Sequence, residues 1–176
     1  MAEWWLNQLE ERLSQGDIVE DAAVVLLVSP VEALKKVTIK GAGVSWQGAS
    51  TWPPDSNGQN HFLARGKRSA AVIVSHSCDL DKEQRSGRVL LAPAASAQTL
   101  NSETYENVFS QRRRSMMPLP AVPLLGDCYA NLRLITTVDR KYVDTLKRVA
   151  SMTKEARMRF QDQLMGFLVR PEDRQN

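Results

Sequence analysis

The chain has 176 residues, 43% hydrophobic and 24% charged, with a formal net charge of +3. That composition excludes a disordered chain, and the length suffices to bury a core without cross-links. No apolar stretch approaches the ~18 residues of a membrane span, and Met1-Ala2-Glu3-Trp4-Trp5 lacks the basic and apolar regions of a secretory signal. A cytoplasmic protein with Cys78 and Cys128 as free thiols is therefore expected, with no membrane partner.

In chain order, Glu3 to Leu13 has Trp5, Leu6, Leu9 and Leu13 at helical spacing, with Asn7, Gln8, Glu10 and Glu11 between them. This predicts a short amphipathic helix ended by Ser14-Gln15-Gly16-Asp17, with Gly16 left-handed. Ile18 to Ser29 is rich in Val and Leu, which predicts a strand or strand pair buried on both faces and stopped by Pro30. Val37 to Trp46 reads as weaker β-structure broken by Gly41 and Gly43. Gly48 to Asn60, with Trp52-Pro53-Pro54 and Asn57-Gly58, reads as a loop.

Ser69 to Ser75 is the strongest predicted strand and Arg88 to Pro93 the next. Ala94 to Phe109 allows a helix starting near Ser96. Arg113 to Pro123 is an edge or loop punctuated by proline, and Tyr129 to Val138 reads as one strand. Asp139 caps a predicted helix with the stripe Val143, Leu146, Val149 and Ala150. Thr153 caps another, with Phe160, Leu164, Phe167 and Leu168 inward, ended by Pro171.

Strands that no regular helix separates argue for an α+β fold: a small, curled, mainly antiparallel β-barrel with terminal helices. A single domain over 1–176 is expected, with an N-terminal helix at 1–15, a barrel core at 16–138 carrying the 48–60 loop, and C-terminal helices, a helical pair, at 139–170.

Charge is unevenly placed. Up to Asp21 the chain carries Glu3, Glu10, Glu11, Asp17, Glu20 and Asp21 against Arg12 alone. The remainder is net basic, with a run at Arg112-Arg113-Arg114 between Phe109 and the next predicted strand. Three successive guanidiniums beside Tyr105 and Phe109 suit phosphate contacts and base stacking, and Arg65, Lys67 and Arg68 are candidates for the same face. A solvated strand edge blunted by charge explains the run equally simply.

Ser75-His76-Ser77-Cys78-Asp79 is the other candidate. If the strand stays extended, His76 and Cys78 share a face and Asp79 faces away. That pairing suits a thiol nucleophile oriented by Asp79 or Asp81, or a zinc site completed by His61 or Cys128, although the spacing matches no standard zinc motif. A turn in which Cys78 is buried and an aspartate starts a helical turn is the simplest account. A fourth reading has Ser75, His76 and Ser77 donating to a phosphate or a partner's backbone. No metal or other cofactor is expected.

Gly16-Asp17-Ile18-Val19, the run Arg68 to Ser75, and Val89-Leu90-Leu91-Ala92-Pro93 occur in the order seen in the MazF/PemK-type toxins, which the chain distantly resembles. That resemblance implies an SH3-like barrel and RNA cleavage, with Arg68 at the family's arginine position. The family's threonine after Ala-Pro falls on Ala95 here, next to Ser96. More of the chain resembles a group of uncharacterised bacterial proteins. They share a Ser-x-x-Cys-Asp-Leu/Ile turn (Ser75 to Leu80), a Pro-Leu-Pro segment (Pro118 to Pro120), a Tyr-x-x-Leu-Arg strand (Tyr129 to Arg133) and a helical tail.

The leading expectation is a non-catalytic binding module for nucleic acid, RNA or DNA, or for a partner protein docked through the terminal helices. Its binding residues would be Ser75, His76, Ser77, Cys78, Asp79, Arg112, Arg113 and Arg114. The resemblance implies a bacterial toxin–antitoxin or phage-defence setting. The alternative is a metal-independent endoribonuclease using Arg68 and His76.

Overall fold

Ala70-Ala71-Val72-Ile73-Val74 is apolar at every position, so a strand made of it must bury both faces. It does: Val72 and Val74 enter one core, Ala71 and Ile73 another. The computed structural model of the chain describes residues 3–26, 32–39, 43–49, 61–63, 65–80 and 87–169, with side chains placed at 3–24, 67–78, 80 and 87–169.

The strands are β1 (Ile18–Leu26), β2 (Glu32–Ile39), β3 (Gly43–Ala49), β4 (His61–Leu63), β5 (Arg65–Ile73), β6 (Arg88–Ser96), β7 (Met116–Val122), β8 (Gly126–Asn131), β9 (Thr136–Asp139) and β10 (Arg148–Ala150). The helices are α1 (Ser77–Leu80), α2 (Ser102–Phe109), α3 (Arg140–Asp144) and α4 (Lys154–Leu168). The fold is α+β with a curled antiparallel sheet. Two compact units are present.

Residues 25–67 make one unit, a sheet in the order β3-β2-β4, antiparallel throughout. Of the expected 48–60 loop, Gly48 and Ala49 belong to β3, and positions 50–60 lie outside the described residues, as do Pro30 and Pro171.

The other unit contains a seven-stranded sheet in the order β10-β1-β5-β6-β8-β7, with β9 also on β6. One face carries α4 through Ala156, Phe160 and Leu164, together with Trp5 and Met152. The other carries Leu80 of α1 and Val143 of α3. The last strand, β7, contains Pro118 and Pro120, a sequence suited to a sheet edge because proline donates no ladder bond. Among the described residues no helix is long and apolar enough to cross a membrane.

The N-terminal helix expected over 1–15 is not formed. Residues 3–17 instead run as an irregular strap over the junction of β10 and α4. Leu6 donates to the Ser151 carbonyl and Thr153 to that of Trp4, while the Trp5 indole donates to Pro120 O at 2.7 Å. Arg148 donates to the carbonyls of Glu10 and Arg12, so these backbone groups are satisfied by distant side chains instead of a helix ladder. Gly16 is left-handed at φ 87°, and a Cβ there would lie 2.6 Å from Met152 Sδ.

Two further expectations change. The single strand read over 129–138 is two, because Leu132–Leu134 make a 3-10 turn. The Asn131 side chain accepts the Arg133 N–H, and Leu132 donates to Ser115 O. The C-terminal helical pair is a five-residue α3 and a long α4 separated by β10, which takes Val149 and Ala150 away from the helical stripe. Asp139 and Thr153 do cap those helices, by accepting the N–H groups of Lys141 and Ala156. After β6 the helix starts at Ser102, capped by Asn101, not near Ser96, which caps a short 3-10 turn.

Candidate nucleic-acid interface

Asp17 shows how this unit treats its buried charges. Its carboxylate is fully buried and accepts from Ser14 N (2.9 Å) and Arg148 Nη1 (3.0 Å). Burial raises its pKa, while Ser14, Ser151 and Arg148 pull the other way. Elsewhere Arg68 pairs with Asp21, Arg140 with Asp144, Lys147 with Glu20 and Arg157 with Glu10. Basic side chains left out of such pairs stand apart.

The run Arg112-Arg113-Arg114 is one such set. After α2, Gln111 takes a left-handed conformation (φ 59°), Arg113 N donates to Asn107 O, and Met116 N donates to Arg113 O. This tight turn exposes all three arginine side chains. Arg133 joins them: the bond from Leu132 N to Ser115 O sets the 3-10 turn beside the residue that follows Arg114, and Arg133 is exposed. Among the described residues none of these four guanidiniums has an acidic partner. The sequence reading missed Arg133, because nothing local announces that a strand arginine borders a turn eighteen residues earlier.

Tyr105 and Phe109 stack on each other, centroids 4.3 Å apart and rings 13° from parallel. The Tyr105 hydroxyl donates to Asp127 Oδ2 at 2.8 Å, and that bond, with burial, raises the phenol pKa. The aromatic pair is thus anchored beside the arginine turn.

The Ser75-to-Cys78 corner is built differently. Val74 N donates to Leu90 O, and the Ser75 hydroxyl then accepts Leu90 N–H at 2.8 Å, extending the β5–β6 pairing by a side chain. The extended conformation does not continue to Cys78: α1 begins at Ser77, so His76 and Cys78 are not neighbours on one strand face. His76 Nδ1 accepts the Cys78 N–H at 3.2 Å, and Ser77 Oγ accepts the Gln15 N–H at 3.1 Å. Three polar side chains are therefore committed to backbone groups, which is what a turn requires.

Cys78 is exposed and Cys128 buried, and neither is in a disulfide. Cys78 is thus not the buried small hydrophobe of the turn reading. Burial, with the Asp127 charge, raises the Cys128 thiol pKa and keeps it neutral. Among the described residues no three His, Cys, Asp or Glu side chains are grouped to hold a metal ion. The side chains of Asp79, Asp81, His61 and Arg65 lie outside the described residues.

Topology decides which candidates meet. The pairs β5–β6, β6–β8 and β8–β7 are all antiparallel, so the end of β5 and the start of β7 lie toward the same end of the sheet. The corner and the arginine turn therefore share that end. Arg68 lies toward the other end of β5, with its guanidinium on Asp21. At about 3.3 Å per residue, the stretch from Arg68 to Ile73 alone is roughly 17 Å, so Arg68 and His76 are not brought together.

No protein-family model and no curated protein matches the chain.

Proposed function

We propose that the chain is a non-catalytic nucleic-acid-binding module that seats a phosphodiester backbone on the arginine turn. The observation that carries this reading is the set Arg112, Arg113, Arg114 and Arg133. Four exposed guanidiniums occur together without an acidic partner among the described residues, in a unit where Arg68, Arg140, Arg148 and Arg157 are paired and the exposed Arg88 and Arg159 stand singly. Like charges held together repel, and a polyanion relieves that repulsion while releasing its own counterions.

An SH3-like barrel spanning a single domain, a relationship to the MazF/PemK-type toxins, a cytoplasmic location and a toxin–antitoxin or phage-defence setting belong to the same proposal. The barrel type, the relationship and the setting rest on the resemblance. Asp79 and the rest of the Ser75-to-Cys78 corner flank the site at the same end of the sheet. An endoribonuclease built on Arg68 and His76 is the weaker reading, because Arg68 is tied to Asp21 and the strand holds it far from His76.

The test is anisotropy of labelled RNA and DNA oligonucleotides against salt concentration, with intact ligand checked by gel. Salt-sensitive binding without cleavage, weakened by R112E/R113E/R114E in a normally folded chain, supports the proposal. Binding that ignores the triple reversal refutes it.

A further inference from the structure

The buried side of α4 is accounted for by Ala156, Phe160 and Leu164. Its outer side is not. At 100° per residue, Glu155, Met158, Arg159, Asp162, Met165 and Gly166 fall on the opposite arc, and Val169 follows as the C-cap. Met158 and Met165 are each 56% exposed and Val169 61%. Neither Arg159 nor Asp162 has a partner among the described residues. Gly166 sits inside the helix, where glycine is a poor former, and a Cβ added there would meet nothing within 4 Å. Nothing among the described residues needs that glycine.

We propose that this face binds a second copy of the same chain, two α4 helices packing antiparallel about a two-fold axis at Asp162. The sequence of the face is complementary to itself under that operation. Met158 falls opposite Gly166 of the second copy, whose missing side chain leaves room for the thioether. Arg159 falls opposite Met165, and its guanidinium reaches Asp162 of the second copy, three residues along the axis, about 4.5 Å at 1.5 Å per residue. Both pairs occur twice, as a two-fold interface requires. They neutralise the two Asp162 carboxylates that meet near the axis.

A helix of fifteen residues offers a contact at the small end of specific interfaces, so the dimer is weak and concentration-dependent. The opposite side of the same helix reaches the start of β7, Gln163 Nε2 donating to Met116 O just after the arginine turn. Dimerisation therefore puts two arginine turns in one particle and makes nucleic-acid binding bivalent.

Sedimentation equilibrium of the full chain, from nanomolar to high micromolar concentration, tests the proposal. A monomer–dimer equilibrium is expected in the wild type. R159D and D162R should each weaken it at least about tenfold, R159D/D162R should recover most of the loss, and G166L should abolish it while leaving thermal stability unchanged or raised. These positions are on the outer face, so melting curves should show every variant folded. A wild type that stays monomeric throughout, even if it binds a different protein, overturns the proposal. So does a double swap no better than either single swap, or a dimer that survives G166L.

Discussion

His76 holds the backbone of Cys78: its Nδ1 accepts the Cys78 N–H at 3.2 Å, while the His76 carbonyl accepts from Leu80. The imidazole therefore acts as the cap of the turn that presents an exposed thiol, with one nitrogen already used. His76→Ala should cost about 1 kcal/mol, as lost helix caps do, and His76→Asn should restore most of it, both read from urea unfolding midpoints. Nucleic-acid affinity should change far less than it does on reversing the arginines.

The two cysteines differ in access. A thiol reagent should label Cys78 promptly in the native protein and Cys128 only after unfolding, because Cys128 is buried in the core between Ser96 and Leu119 and its pKa is raised. Native labelling should therefore reach one thiol per chain, and labelling in denaturant two. Equal native rates for both would show that β8 opens readily.

At the arginine turn, each phosphate contact contributes about 0.7–0.9 to the slope of log affinity against log salt. R112E/R113E/R114E should lower that slope by roughly 2–3 and R133A by about 1. Reversing Arg68, which is paired with Asp21 toward the far end of β5, should leave the slope unchanged.

Asp17 gives stability a pH dependence of unusual sign. Its folded-state pKa is raised by burial above the ordinary value of 3.8, so the folded state holds its proton more tightly than the unfolded state. Its contribution is therefore full below pH 3.8 and declines as pH rises through the folded pKa. Asp17→Asn removes that titration, so the variant's stability should stay flat through the window while the wild type's falls, both read from urea unfolding midpoints. A wild type that gains on D17N there would reverse the assignment.

Gly16 tolerates no side chain. A Cβ would lie 2.6 Å from Met152 Sδ, on a backbone at φ 87°. Gly16→Ala should lower stability by about 1–3 kcal/mol in thermal or urea unfolding, combining strain with a clash in the core. Gly126→Ala, where φ is 72° but a Cβ meets nothing within 4 Å, should lose only the conformational part.

Several features were legible because their physics is local. The run Ala70 to Val74 has no polar face to offer water, so it had to become a strand covered on both sides. Pro118 and Pro120 restricted their segment to an edge or a loop, and it forms the last strand of the sheet. Asp139 and Thr153 each satisfy an N–H two or three residues away, and a cap of that span is written in adjacent residues.

The strap was not legible. Trp5, Leu6, Leu9 and Leu13 have helical spacing, yet Leu6 remains 36% exposed and Leu9 46%, while Trp5 is buried with its indole on Pro120 O. A helix of that length gains little on its own. Distant donors, Arg148 above all, offered the backbone better partners. Likewise Leu132 interrupts an apparent strand because Ser115 O is within reach of its N–H.

The candidate site divides along the same line. From the chain alone came the residue types: an arginine run after a helix with aromatic neighbours, and a polar corner between two apolar runs. Tertiary structure decided which of them have company. It tied Arg68 to Asp21, brought Arg133 beside the turn at 112–114, and committed Ser75, His76 and Ser77 to backbone donors. Charge pairing and hydrogen bonding act over a few ångströms of space, and sheet topology, not chain order, sets which groups come that close.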